Sequence, residues 1–161
     1  MSAFCDCVRK ALEEFISDNL GANRTTRDDW LTHNTEQASE IFIRDDNQLI
    51  LIADGTYCYI QKSANNSFQR KTYSGQKKRH LVKPFVLCTA DGTIVDIYGL
   101  YAATVNDAKI MGDVFENDVN PRELIKPEDI FIADRGFRDC IKIVKKRFKI
   151  NVIIPPCTFF F

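Results

Sequence analysis

The chain has 161 residues, the length of one domain, and an apolar content of 45% is sufficient for a single hydrophobic core. Charged residues make up 27% and there are only 7 Gly and 5 Pro, so nothing in the composition indicates disorder. Lysine and arginine balance aspartate and glutamate at 22 each, and no apolar run approaches the roughly 20 residues of a membrane span.

The N-terminal part, residues 1–45, is predicted to form a helical segment with two helices. Apolar residues recur at three- and four-residue steps over residues 4–19, which is the pattern of an amphipathic helix. A second helix is predicted to begin after Thr25 or Thr26 and to continue as far as Ile41, with acidic residues in its first turn.

Strand patterns follow in the next part of the chain. Leu49–Ile52 is a short continuous apolar run, typical of a strand that is buried on both faces. Residues 81–89 and 93–102 are two β-rich runs joined at Asp91-Gly92, which predicts a hairpin. Pro84 should limit the first of these runs to an edge position or to a later start.

Helices and strands alternate in the C-terminal part. The predicted elements are a helix capped by Asn106 and reaching Phe115, a loop over residues 117–129 with one short turn, a strand at Ile130–Ala133, a helix from Phe137 to Phe148, and a strand at Val152–Ile154 that ends at Pro155-Pro156. An antiparallel start followed by strand–helix–strand units predicts a mixed α/β fold, with the later units parallel and right-handed.

Two segments of the chain have similar sequences, LILIADGT and IFIADRGF. Each is an apolar strand that ends in Ala-Asp, so Asp54 and Asp134 are expected at the carboxyl ends of buried strands, where ligand sites of α/β sheets gather. Because neighbouring strands lie about 4.8 Å apart, the two carboxylates could share hard cations such as Mg²⁺. Aspartate beside glycine is also common in turns, so a purely structural role for both stays open.

The charge of the chain is unevenly distributed. Residues 55–90 contain seven lysines and arginines and no acid. A basic stretch of this length in a neutral protein indicates a surface for a polyanion. The alternative is a solvated loop, or an edge strand protected by lysine.

Four motifs occur in a fixed order along the chain: the strand IADGTYCYIQKS, the basic block YSGQKKRH, the helix start TVNDAKI and the strand end FIADRGF. In this order they resemble the Harbinger/PIF-type DDE transposases, a group that includes the HARBI-like nucleases. The resemblance covers roughly residues 20–156. It implies an RNase H-like α/β fold over residues 46–161, with a mixed sheet, flanking helices and a C-terminal truncation.

The resemblance implies a nuclease that hydrolyses and transfers DNA strands with two divalent cations, Mg²⁺ or Mn²⁺. It assigns catalytic and metal-binding roles to Asp54, Asp107 and Asp134. On spacing alone, Asp107 is better explained as an acid that stabilises the N-terminus of its helix. The family's last acid is a glutamate on a later helix, and no glutamate follows Asp134 in this sequence. We therefore expect an incomplete site.

The same resemblance implies DNA as the partner, together with a separate Myb-like DNA-binding protein and a location in the nucleus. The residues expected to contact DNA are Lys62, Arg70, Lys71, Lys77, Lys78 and Arg79. The competing hypothesis is a catalytically silent, domesticated transposase domain that binds DNA or a protein partner. A third idea, a cysteine metal module, is disfavoured because Cys5 and Cys7 form a lone C-x-C without a second pair of ligands.

Overall fold

The structure is a computed structural model that describes residues 3–117 and 120–154. Its centre is a mixed sheet of seven strands. The strands are β1 (Ile50–Gly55), β2 (Cys58–Tyr59), β3 (Tyr73–Ser74), β4 (Arg79–Thr89), β5 (Ile94–Ala102), β6 (Ile130–Ala133) and β7 (Asn151–Ile153). The helices are α1 (Ala3–Asn19), α2 (Arg27–Leu31), α3 (Glu36–Phe42), α4 (Asn66–Thr72), α5 (Asp107–Asn117), α6 (Asn120–Leu124) and α7 (Arg138–Phe148), and a 3₁₀ turn (Arg135–Phe137) precedes α7.

The sheet is built around β1, which is antiparallel to β4 and parallel to β6. The strand order is β2-β4-β1-β6-β7, and β3 and β5 also pair with β4. The predicted hairpin is confirmed, since β4 and β5 are antiparallel neighbours joined through a turn in which Gly92 has a φ of 88°. The later strands β6 and β7 are parallel, as predicted. The mixed α/β class expected from the sequence is therefore confirmed.

β4 continues through Pro84, so the prediction that this proline confines the run to an edge or to a later start was wrong. The strand pairs with β1 and β2 as well as with β5. Where β4 pairs with β5, the register shifts between Lys83 and Phe85. As a result, two residues of β5, Gly99 and Leu100, lie opposite Pro84, and Gly99 has a φ of 47°. The missing N–H of Pro84 thus falls at a bulge, where the ladder does not require a donor. Its carbonyl still accepts a hydrogen bond from the Thr56 N–H at 3.0 Å.

The second predicted helix is in fact two helices, α2 and α3, each with its own N-cap. Thr26 and Asp29 form a reciprocal capping box at the start of α2. The Thr35 side chain accepts the Ala38 N–H at the start of α3. Between them, the Thr32 hydroxyl donates to the Asp29 carbonyl at 2.7 Å. The prediction of one helix was wrong because these threonines bond to the backbone at the ends of two short helices.

Two elements within the basic stretch were not predicted, α4 and the short strand β3. The side chain of Asn65 caps α4 by accepting the N–H groups of Ser67 and Phe68, both at 3.0 Å. The predicted strand end at Pro155-Pro156 lies outside the described residues. Within the described ranges, no helix is both long enough and apolar enough to cross a membrane.

A buried ion pair attaches the N-terminal segment to the sheet. Arg27 donates to both carboxylate oxygens of Asp129, at 2.9 and 2.6 Å, and Asp129 is fully buried. The same carboxylate accepts the N–H groups of Leu49 at 3.0 Å and Lys126 at 2.8 Å. Trp30, also fully buried, belongs to the hydrophobic core. The Asp129 carboxylate therefore links the residues that precede β1 and β6. The domain division at residue 45 stays a prediction.

Arg27→Met is expected to lower the free energy of unfolding by about 3–5 kcal/mol, because it leaves the Asp129 carboxylate buried without a cation. Urea unfolding followed by the fluorescence of Trp30 measures this change. Arg9→Met is the matched control, because Arg9 pairs with Asp6 and Glu13 on the exposed surface of α1. The control should lower the free energy of unfolding by less than about 0.5 kcal/mol, and equal effects of the two variants would contradict the prediction.

Candidate metal centre

Asp54 and Asp134 lie side by side at one edge of the sheet. Their strands β1 and β6 are parallel neighbours, and Ala53 pairs with Ala133 in the last register position of the pair. Asp54 directly follows Ala53 and Asp134 directly follows Ala133. Because neighbouring strands lie about 4.8 Å apart, the two aspartates are neighbours as well. The structure thus brings together the two acids of the similar Ala-Asp motifs.

Asp107 approaches the same place from the first turn of α5. The side chain of Asn106 caps this helix by accepting the Lys109 N–H at 2.9 Å. The Asp107 carboxylate lies against two glycines. A Cβ atom at Gly55 would lie 3.2 Å from Asp107 Oδ1, and one at Gly136 would lie 3.2 Å from Asp107 Oδ2.

Gly136 is the point at which Asp107 and Asp134 approach each other. A Cβ at Gly136 would lie 3.0 Å from Asp134 Oδ1 as well as 3.2 Å from Asp107 Oδ2. Any side chain there would press on both carboxylates. Because Gly55 and Gly136 have no side chains, they leave room for three acids to converge. These acids come from β1, from α5 and from the segment after β6.

Each of the three carboxylates has one oxygen held by a nearby donor. The donors are the Gly55 N–H for Asp54 Oδ1 at 2.8 Å, the Gly136 N–H for Asp134 Oδ1 at 2.7 Å, and the Lys83 ammonium for Asp107 Oδ1 at 3.1 Å. The second oxygen of each carboxylate accepts no hydrogen bond from the described part of the chain. Three carboxylate oxygens in this cluster are therefore available to an external ligand.

The surroundings of Asp54 shift the pKa of its carboxyl group. Partial desolvation raises the pKa of its carboxyl group, the Gly55 N–H lowers it, and the negative charges of Asp134 and Asp107 raise it further. The net result is a pKa above the ordinary value of 3.8. A cation among the three acids would relieve this repulsion.

The donor set has the chemistry of a site for a hard divalent cation, because Mg²⁺ and Mn²⁺ prefer carboxylate oxygens. Asp54, Asp107 and Asp134 are the residues that would hold such an ion. Across residues 3–117 and 120–154, however, no three acidic, histidine or cysteine side chains are already close enough together to hold a metal ion.

The family model for the DDE superfamily endonucleases matches residues 53–152, more than half of the chain. The chain belongs to this family. The matched range includes all three aspartates, the last three residues of β1, and the whole of α5 and β6. No curated protein and no solved structure is significantly similar to the chain.

Sequence reasoning missed one residue of this endonuclease domain's acidic cluster, Lys83. Its ammonium lies 3.1 Å from Asp107 Oδ1 and donates to the Val105 carbonyl at 2.9 Å. In the sequence, Lys83 is one of the cations of the basic stretch, and nothing in that stretch assigns it to the site. The alternation of side chains between the two faces of β4 could have indicated that Lys83 is buried. Lys83 lies on the same inward face as the buried residues Leu81 and Phe85.

The six residues expected to contact DNA are all exposed and lie along one segment of the endonuclease domain. They are Lys62 before α4, Arg70 and Lys71 in its last turn, and Lys77, Lys78 and Arg79 in and after the turn between β3 and β4. The Lys77 ammonium lies 5.1 Å from the ring centre of Tyr57, and the Arg79 guanidinium lies 5.5 Å from that of Tyr59. Contact with DNA stays a prediction.

A groove of about 770 Å³ runs between α5 and α7 of the endonuclease domain. Its walls include Asp113, Glu116 and Asp139, and none of the three clustered aspartates lines it. Lys109 also lines the groove, so its charge is mixed, and the groove does not coincide with the acidic cluster.

Asp54→Asn is expected to raise the midpoint temperature of unfolding at pH 7 in metal-free buffer, by roughly 1–3 °C for a carboxylate that solvent still reaches. The pKa of Asp54 is raised in the folded state, so its ionisation costs folding free energy at a pH above that raised value. This cost disappears as the pH falls below the ordinary pKa of 3.8. The stabilisation should therefore vanish near pH 3.

Calorimetry in the presence of EDTA measures the effect across this pH range. Asp46→Asn is the matched control, because Asp46 is exposed and lies away from the acidic cluster in sequence. The control should show no comparable gain at pH 7. A lower midpoint for Asp54→Asn at pH 7 would contradict the inference that burial and the neighbouring acids together make ionised Asp54 unfavourable in the folded state.

Proposed function

We propose that the domain is the catalytic core of a Harbinger-type DNA endonuclease, which hydrolyses phosphodiester bonds with Mg²⁺ or Mn²⁺ at Asp54, Asp107 and Asp134. The observation that carries the proposal is the convergence of three acids at Gly55 and Gly136, within a chain of the DDE endonuclease family. No glutamate follows Asp134 in this sequence, and the expectation that the site is incomplete without this last acid of the family stays a prediction.

Divalent cations bound here would lower the pKa of a coordinated water and stabilise the leaving oxygen of the phosphodiester. The chain's own residues supply the placement. The paired strand ends fix Asp54 against Asp134, while the Asn106 cap fixes the helix that carries Asp107. Backbone N–H groups hold one oxygen each of Asp54 and Asp134, which restricts the rotation of these carboxylates.

The basic stretch offers a path for the DNA backbone towards the acidic cluster. Asp54 pairs with Val86 of β4, and Arg79 lies seven residues earlier on the same strand. At about 3.3 Å per residue, this separation is roughly 23 Å, the length of about seven nucleotides of B-form DNA. Exposed cations at this distance would position the duplex through its phosphates without reading its sequence.

The second candidate function is a catalytically silent domain that binds DNA or a protein partner. Two observations favour it: Asp107 is already paired with Lys83, and no metal-binding group of three side chains is preformed in the described ranges. A Myb-like DNA-binding partner and a location in the nucleus accompany both candidates. DNA binding without metal binding or strand cleavage would select the silent domain.

Mn²⁺-dependent nicking of a supercoiled plasmid tests the proposed function. The wild-type chain should convert the plasmid to its open circular form, and EDTA should abolish the conversion. Asp54→Asn and Asp134→Asn should each lower the rate by on the order of 100-fold or more, since removing even an indirect partner of a metal ion costs about 10–100-fold. Asp46→Asn serves as the control and should retain activity. Equal activity in wild type and Asp54→Asn would refute the assignment of the site.

Lys77→Ala combined with Lys78→Ala tests the DNA path. The pair should weaken binding to duplex DNA of any sequence, and it should reduce the slope of log K against log salt concentration by about 0.9 for each phosphate that is no longer neutralised. Fluorescence anisotropy at several salt concentrations measures both quantities. Lys142→Ala with Lys146→Ala, on the exposed face of α7, is the matched control with the same change of charge. Equal changes of the slope in both double variants would show that the effect depends on net charge and not on the position of Lys77 and Lys78. That outcome would contradict the proposed DNA path.

A further inference from the structure

Lys83 is a buried cation at an inward position of the central sheet. Every second residue of β4 around it is buried and apolar, including Leu81, Phe85 and Leu87, and Lys83 itself is only 8% exposed. An unpaired ammonium group at such a position is strongly unfavourable, so its partners must account for it. They are the Val105 carbonyl and the Asp107 carboxylate, and the Tyr57 ring centre lies 5.9 Å from the ammonium.

The ion pair divides the two oxygens of Asp107 between different neighbours. Oδ1 faces Lys83, with the N–O distance at 3.1 Å. Oδ2 faces Gly136 and the carboxylate of Asp134. One end of the Asp107 carboxylate is thus neutralised from within the protein, while the other end points into the acidic cluster.

We propose that Lys83 is the built-in counter-cation of the acidic cluster, and that it lowers the affinity of the site for divalent metal ions. The inference rests on the proposed metal-dependent function. Asp54, Asp107 and Asp134 place three negative charges together, and Lys83 supplies one positive charge against them through Asp107. Lys83 acts through Asp107 and is therefore a positioning residue.

The ammonium of Lys83 has two opposite effects that can be separated experimentally. In the metal-free protein it offsets repulsion among the carboxylates, which stabilises the fold. In the metal-bound protein it repels the incoming dication. An elementary charge within several ångströms of a divalent cation alters the binding constant by about tenfold or more, even where solvent screens it.

Titration calorimetry with Mn²⁺ alone, on protein stripped of metal, tests the inference. Lys83→Met and Lys83→Gln should bind Mn²⁺ at least about tenfold more tightly than the wild type. Lys83→Arg retains the charge and should bind as the wild type does. Lys142→Met, which removes an exposed cation from α7, should leave the affinity unchanged.

Two further measurements separate this role from simple packing. In EDTA, Lys83→Met should unfold at a lower temperature than the wild type, and the rise in that temperature on adding Mn²⁺ should be larger than in the wild type. In an Asp107→Asn background, Lys83→Met should tighten Mn²⁺ binding by a smaller factor, because the part of the effect that acts through the ion pair is then absent. Lys83→Gln retains an N–H donor for the Val105 carbonyl and so provides the folded comparison if Lys83→Met is too unstable.

Equal or weaker Mn²⁺ binding by Lys83→Met and Lys83→Gln would overturn the inference while leaving wild-type binding and nicking, and hence the proposed function, intact. Absence of Mn²⁺ binding in the wild type and in both variants would overturn the inference and the metal-dependent function together. Binding by the variants without binding by the wild type would support the inference and identify Lys83 as the residue that silences the site.

Discussion

The position of the acidic cluster depends on a carboxylate at the opposite end of the same two strands. Asp129 immediately precedes β6 and accepts the N–H of Leu49, which immediately precedes β1, while Arg27 neutralises its buried charge. From these anchored starts, β1 and β6 run in parallel register to Asp54 and Asp134. A slip of one residue in either strand would turn its acid to the other face of the sheet. The buried ion pair therefore fixes where the two exposed acids meet.

The meeting of Asp54 and Asp134 could be inferred from sequence because it depends on local patterns. Two short apolar runs with the same Ala-Asp ending indicate two buried strands, and parallel neighbours end at the same edge of a sheet. Asp107 is different, since its spacing alone indicates a helix start and nothing more. Its approach to Gly55 and Gly136 depends on how α5 packs against the sheet, which no local pattern encodes, so at the level of sequence only the family resemblance indicates it.

The features that sequence patterns did not reveal are those made by contacts between distant residues. Arg27 and Asp129 are 102 positions apart, and neither lies in a sequence motif that predicts contact with the other. Lys83 was missed for a related reason. Pro84 suggested an edge strand, where an exposed lysine is ordinary, and the bulge in β5 that accommodates the proline is not visible in the local pattern of β4.

The placement of Lys83 is better explained by charge than by packing. A methionine would fill the space between Leu81 and Phe85 without the cost of removing an ammonium group from water. The lysine is stabilised there because the Asp107 carboxylate and the Val105 carbonyl face it. Its presence therefore implies that the negative charge of the cluster matters to the folded domain even when no metal ion is bound. Under the proposed function, the balance between this internal cation and an external one decides whether the same three acids bind a metal ion.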